Sequence, residues 1–211
     1  METTFTSWLT LAGLGAFHGL NPGMGWLFAV ALGMQENRRT AVWRALIPLT
    51  LGHLLAIAAA IGVAAAAGAA LSPGMLRWPV ALLLIGLGVR QLYRHAHPRW
   101  AAMRVGMRGL TLWSFLMASA HGAGLMVLPV FLSMTVVAGG PSCHARGAST
   151  QAFAGAMATL AHGLGYLAAT ALIAWFVVDR LGLGLLRKAW INLDAIWSAA
   201  LILTGCLTLI A

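Results

Sequence analysis

Thr50-Leu51-Gly52-His53-Leu54-Leu55 lies near the middle of an apolar run, residues 43–69, and the pattern returns later in the chain. Residues Thr159 to Leu164 read T-L-A-H-G-L inside a second run, 152–178. Each is preceded by another run with a His-Gly step: Phe17-His18-Gly19 in 8–34, and Ala120-His121-Gly122 in 109–138. Each is followed by a third. W-P-V-A-L-L-L-I-G (Trp78 to Gly86) in 78–94 resembles W-S-A-A-L-I-L-T-G (Trp197 to Gly205) in 190–210. The matches keep their order, and the spacing from His18 to His121, His53 to His162 and Trp78 to Trp197 grows from 103 to 109 to 119 residues. The extra residues of the second half therefore fall in its loops.

The six runs are of the length that spans a bilayer as a helix, roughly 20 residues. The chain is 61% hydrophobic and 8% charged, whereas a soluble domain carries about 25% charged residues. Strand-like alternation is absent, and backbone groups in lipid must be bonded within their own segment, so the runs read as α-helices. The expected fold is an all-α membrane protein, a single transmembrane domain over residues 1–211 with six transmembrane helices. Three spans per half is an odd number, so the second half enters from the opposite side. Residues 8–94 and 109–210 are then inverted-topology three-helix repeats. Secondary transporters built this way carry their site at mid-membrane, where the halves meet.

The formal charge of +9 reads as topology rather than nucleic-acid binding, because the cations lie in the short connections. The first, third and fifth connections hold Arg38, Arg39, Arg44, Arg90, Arg94, Arg99, Arg104, Arg108, Arg180, Arg187 and Lys188; the second and fourth hold only Arg77 and Arg146. Basic loops stay in the cytoplasm. The expectation is a multi-pass protein of the bacterial inner membrane, both termini outside, with the lipid bilayer as its main partner and no nucleic acid. The composition is compatible with a monomer or a homo-oligomer. The first run lacks a basic leader and contains His18 and Asn21-Pro22, so it reads as retained rather than cleaved. Cys143 and Cys206 have no C-x-x-C spacing, which disfavours a thiol relay.

Candidate chemistry rests on four histidines at similar depth: His18, His53, His121 and His162. From the helical rise they fall in a central band roughly 10 Å thick. Ionisable groups there are costly and serve a site or pair with neighbours. His18 opens the motif H-G-L-N-P-G-M-G, residues 18–25. Pro22 removes the amide that would bond the His18 carbonyl, which predicts a kinked or partly unwound helix. Such a break is tolerated only in protein or beside a cavity. The fourth run repeats the theme as H-G-A-G-L-M-V-L-P, residues 121–129. Imidazole suits nickel, cobalt, zinc and copper, and thioether suits copper(I), so Met24 and Met126 join the four histidines as candidate ligands with Asn21 beside them. Central carboxylates are missing, which argues against bare calcium, and there is no H-E-x-x-H of a metalloprotease. Asp194, near the start of the last run, reads as a helix cap as readily as a relay. The pairs His95/His97 and Cys143/His144 read as parts of solvated loops. No enzyme activity is expected.

The first-span motif and T-L-G-H resemble those of nickel/cobalt exporters of the NicO/RcnA type, within the LysE-like transporter superfamily. The resemblance covers about residues 13–60 and, beyond them, the six-span layout and the duplication. Those exporters carry H-A-L-x-P-G-H-G in the first span; this chain has Met24 at the second histidine position and lacks their long His-rich loop. The resemblance implies export of a small inorganic cation, with His18 and His53 as ligands and no resident cofactor. Two other readings stay open from the residues alone. One is a b-type haem held by transmembrane histidines. The other is an accessory membrane subunit with structural histidines.

Overall fold

A computed structural model describes residues 2–68, 73–93, 106–137, 148–181 and 193–210. All regular structure among them is helical. Helix α1 (Glu2–Leu20) leads through a 3-10 turn (Pro22–Met24) to α2 (Trp26–Gln35). Then come α3 (Arg39–Gly68), α4 (Pro73–Tyr93), α5 (Met107–Ala120), α6 (Ala123–Val137) and α7 (Ala148–Phe176), which ends in a π-helical turn (Val177–Leu181). Helix α8 (Leu193–Ile210) closes the described chain. His95, His97, Cys143 and His144 lie outside the described residues, as does most of the 95–108 loop.

Two helices are individually long and apolar enough to cross a membrane, Arg39–Ala67 and Thr150–Arg180. The pair α5 and α6, bent by 62° at its break, makes a third if it forms one span. Many large apolar side chains lie on the outer surface. Leu51 and Leu55 on α3, Leu82 and Leu83 on α4, Leu160 and Leu164 on α7, and Leu203 and Leu207 on α8 are exposed, while His18, His53 and His162 are buried inside. Exposed apolar surface on this scale marks a membrane or partner surface, and the described helices have the character of a membrane protein.

The first and fourth runs are each interrupted. The first stops at Leu20 and restarts at Trp26, around Pro22; the fourth stops at Ala120 and restarts at Ala123. At the second break Gly122 has φ 70°, in the left-handed region where only glycine is unstrained. Its amide bonds the Ser119 carbonyl at 3.1 Å and its carbonyl starts the next helix by accepting from Met126.

The packing follows a simple scheme. Helix α1 lies mainly on α7, α5 lies mainly on α3, and α4 lies mainly on α8. The first contact is backbone on backbone. A Cβ at Gly15 would meet the His162 carbonyl, and one at Gly165 would meet the Ala12 carbonyl. Small residues let helices approach this closely in lipid, where dispersion replaces the hydrophobic effect as the driving force. On the α3–α5 contact, Ala56 and Ala118 are buried together, and the Ser114 hydroxyl donates to the Leu49 carbonyl at 2.6 Å.

The basic connections meet at one end of the molecule. Arg39, at the start of α3, is 2.9 Å from Asp179 in the π-helical turn after α7. A shallow pocket beside it is lined by Glu36 and Arg44 together with Gly106 and Met107. The ends of the first, third and fifth connections therefore share one end of the bundle.

A candidate three-histidine site

The site is held by three helices. His18 comes from the last turn of α1, His53 from the middle of α3, and His162 from the middle of α7. All three side chains are fully buried. Their ring centroids form a near-equilateral triangle: 5.5 Å from His18 to His53, 5.0 Å from His18 to His162 and 5.4 Å from His53 to His162. The glycine contact between α1 and α7 brings the first and third rings together, since Gly15 lies one turn before His18 and packs against the His162 backbone.

The nitrogens are partly assigned by their partners. His18 Nδ1 lies 2.7 Å from the Leu14 carbonyl. A carbonyl only accepts, so Nδ1 carries the proton and Nε2 carries the lone pair. This is the outer bond that commonly orients a metal-ligating imidazole. His53 Nε2 and His162 Nε2 face each other at 3.3 Å. In a direct hydrogen bond one of them donates and the other accepts. His53 Nδ1 is buried with no hydrogen-bond partner among the described residues.

As they stand, no three His, Cys, Asp or Glu side chains among the described residues are arranged to hold a metal ion. A cation needs the lone pairs of both His53 and His162, and one of them is occupied while the two rings bond each other. The spacing itself suits a cation. Two nitrogens each about 2.0–2.1 Å from a tetrahedral ion stand about 3.3–3.4 Å apart.

Several polar groups of the turn after His18 are bonded. Asn21 N bonds the His18 carbonyl at 3.2 Å, and Asn21 Oδ1 accepts from Gly23 N at 2.9 Å. The Trp26 indole donates to the Leu20 carbonyl at 3.0 Å, and the Tyr166 hydroxyl donates to the Met24 carbonyl at 2.6 Å. A helix interruption buried in the protein is tolerable because its freed groups find such partners. The Asn21 oxygen is thus engaged in capping, while its Nδ2 is buried without a hydrogen-bond partner among the described residues. Met24 and Met126 are buried in the same apolar cluster, which also contains Leu11, Ile57 and Tyr166.

His121 caps α5 at the break before α6 and is buried. Its Nδ1 lies 2.9 Å from the Met117 carbonyl, the same four-residue bond that His18 makes to Leu14. The ring triangle itself is built from His18, His53 and His162.

Tyr166 is the residue sequence reasoning missed. It is fully buried, and its ring stacks on His53 at 4.0 Å between centroids with 7° between planes. Its position four residues after His162 places it on the same helical face, a spacing that was visible in H-G-L-G-Y (residues 162–166). No protein-family model, curated protein or solved structure matches this chain.

Proposed function

We propose that this chain is a small secondary transporter for a transition-metal cation, which crosses through the imidazole cluster of His18, His53 and His162. The observation that carries the reading is the meeting of three buried imidazoles from three different helices, two of them with Nε2 atoms 3.3 Å apart. Burial alone would be met by separate hydrogen bonds to helix carbonyls, of the kind His121 makes to Met117. Bringing three together in a protein interior concentrates neutral nitrogen donors of the kind that nickel, cobalt, zinc and copper take.

The proposed architecture is six spans in two inverted repeats. Reciprocal packing supports it. Exchange of the halves turns the α1–α7 contact into the α5–α3 contact, and those are the pairs that pack. Gly15 and Gly165 on the first contact correspond in the repeat to Ala118 and Ala56 on the second, and both sets are close-packed. In α4 and α8 the contacts are reciprocal as well. Gly88 faces the Ser198 carbonyl and Ile202, and Gly205 faces the Ala81 carbonyl and Ile85. That exchange pairs Gly88 with Gly205, two residues from the register that the tryptophans suggest. The His53–His162 contact joins equivalent atoms of the two halves and so falls on the axis of exchange. Alternating access by rocking of the halves then acts on a pair that belongs to both.

Export from the cytoplasm, implied by the exporter resemblance, is the proposed direction. In the proposed cycle the proton on Nε2 of the donor ring passes to Nδ1 of the same ring, which has no other partner among the described residues, so that both Nε2 lone pairs take the cation, and His18 supplies a third nitrogen. The direct 3.3 Å contact between the two Nε2 atoms favours a small ion held by both rings over a haem, which would have to be accommodated between them.

Titration of detergent-purified protein with Ni²⁺, Co²⁺, Zn²⁺ and Cu⁺ by calorimetry tests the reading. Saturable binding to the wild type, lost on His53→Ala and on His162→Ala, is the expected result. Absence of saturable heat with all four ions would overturn it.

A further inference from the structure

The Tyr166 side chain touches both parts of the site that a moving cation must affect. Its ring lies flat on His53, and its hydroxyl holds the carbonyl of Met24 at the far end of the 3-10 turn. The hydroxyls of Thr170 and Ser114 lie beside it, and Ser114 in turn bonds α3 at the Leu49 carbonyl. Gly25 completes the fit, since a Cβ at that position would press into the Tyr166 hydroxyl. Tyr166 thus joins the His53 ring to the broken segment of α1 and α2 through a stack and a hydrogen bond.

We propose that Tyr166 is a positioning residue that couples the imidazole cluster to the turn of residues 21–25. It fixes the plane of the His53 ring by stacking and clamps the turn through Met24. A cation that draws both Nε2 atoms toward itself, once the donor ring's proton has moved to its Nδ1, shifts the His53 ring and the tyrosine stacked on it, and the shift loosens or tightens the turn. Cargo binding and movement of the broken helix thereby become one event. The coupling rests on the transporter reading above; the clamping of the turn is a separate geometric statement.

The test uses the full chain with Cys143→Ser and Cys206→Ser, so that a single reporter thiol can be placed at Gly23. A Cβ there meets Asn21 Oδ1 at 3.3 Å, so the Asn21 side chain must give by a few tenths of an ångström, and the next heavy atom lies at 3.9 Å; the metal-free rate with Tyr166 present is the reference for every comparison. The alkylation rate of Gly23→Cys is measured with and without Co²⁺, in the presence of Tyr166 and of Tyr166→Phe. Without metal, Tyr166→Phe is expected to raise the rate several-fold, because the Met24 carbonyl loses its partner. With Tyr166 present, Co²⁺ is expected to change the rate several-fold. With Tyr166→Phe, that metal-dependent change should vanish, while Co²⁺ affinity by calorimetry stays within a few-fold. The phenyl ring preserves the stack on His53, so loss of the metal response reports the hydroxyl rather than the site.

An equal Co²⁺ response in both forms would overturn the coupling. An unchanged metal-free rate would overturn the clamp. A wild type that binds Co²⁺, Ni²⁺, Zn²⁺ and Cu⁺ not at all would overturn the transporter reading and the coupling with it, and the metal-free rates would still decide the clamp.

Discussion

His53 Nε2 and His162 Nε2 lie 3.3 Å apart, between the midpoints of the two long helices α3 and α7. Each ring is inaccessible, so neither nitrogen has bulk water as an alternative partner. Removing one leaves the other as a buried polar group without its bond, at a cost of about 1–3 kcal/mol. His53→Ala and His162→Ala are therefore expected to lower the unfolding temperature in detergent as well as to weaken Co²⁺ binding. Loss of a direct ligand should reduce affinity by about 100-fold or more, beyond the about 10–100-fold typical of an outer-shell partner. Calorimetry on both variants checks this; a change below tenfold in either would remove that ring from the ligand set.

The α1–α7 contact is expected to tolerate no added methyl at Gly15 or Gly165. In each case the new Cβ would run into a backbone carbonyl of the facing helix, which has no rotamer to escape through. Overpacking of this kind costs about 1–3 kcal/mol. Gly13→Ala on the same helix meets nothing within 4 Å and serves as the control. Thermal unfolding followed by size-exclusion fluorescence should rank Gly15→Ala and Gly165→Ala well below Gly13→Ala. Because Gly15 packs on the His162 backbone, the same variants should also weaken Co²⁺ binding.

Much of the helical layout was legible because it rests on local chemistry. Pro22 and the glycines around it announced the first break, and the His-Gly step at 121–122 marked the second, where Gly122 takes a positive φ. The burial of His18, His53, His121 and His162 followed from the cost of imidazole facing lipid. Distances between helices were not legible. Helical depth alone places four histidines in one band, but it carries no azimuth, and the triangle of His18, His53 and His162 depends on glycine-mediated approach between α1 and α7. Tyr166 escaped notice because a tyrosine in an apolar helix is ordinary; its role comes from Met24 and His53, 142 and 113 residues earlier in sequence. The third-span match was read from its tryptophans, whereas close packing there depends on Gly88 and Gly205.

One end of the bundle is expected to face the cytoplasm throughout. Arg38, Gly106 and Arg180 are exposed at the end where Arg39 meets Asp179, and Gln151 is exposed near the other end of α7, about 40 Å away by helical rise. In a background with Cys143→Ser and Cys206→Ser, single cysteines at positions 38, 106 and 180 should resist a membrane-impermeant maleimide added to intact cells, and a cysteine at 151 should react. Reaction at 106 from outside would reverse the orientation inferred from the basic connections. The Arg39–Asp179 pair itself is largely exposed on the arginine side. Asp179→Asn should therefore change stability by less than about 1 kcal/mol, as surface ion pairs do.

His18 and His121 are each expected to exist as the less common neutral tautomer, with the proton on Nδ1. The Leu14 and Met117 carbonyls lie 2.7 Å and 2.9 Å from those nitrogens and can only accept, so the ring must donate there. The consequence is functional. A proton fixed on Nδ1 leaves Nε2 as the nitrogen that can take a cation, and it does so without a prior rearrangement of the ring. Nitrogen-15 spectra of histidine-labelled protein should show a pyrrole-type Nδ1 and a pyridine-type Nε2 for both residues, assigned by loss of the signals in His18→Gln and His121→Gln. Addition of Zn²⁺, which is diamagnetic, should then shift the His18 Nε2 signal and leave its Nδ1 protonated. A pyrrole-type Nε2 at His18 would mean that the ring turns away from Leu14 in solution, and His18 would lose its place as a cation ligand.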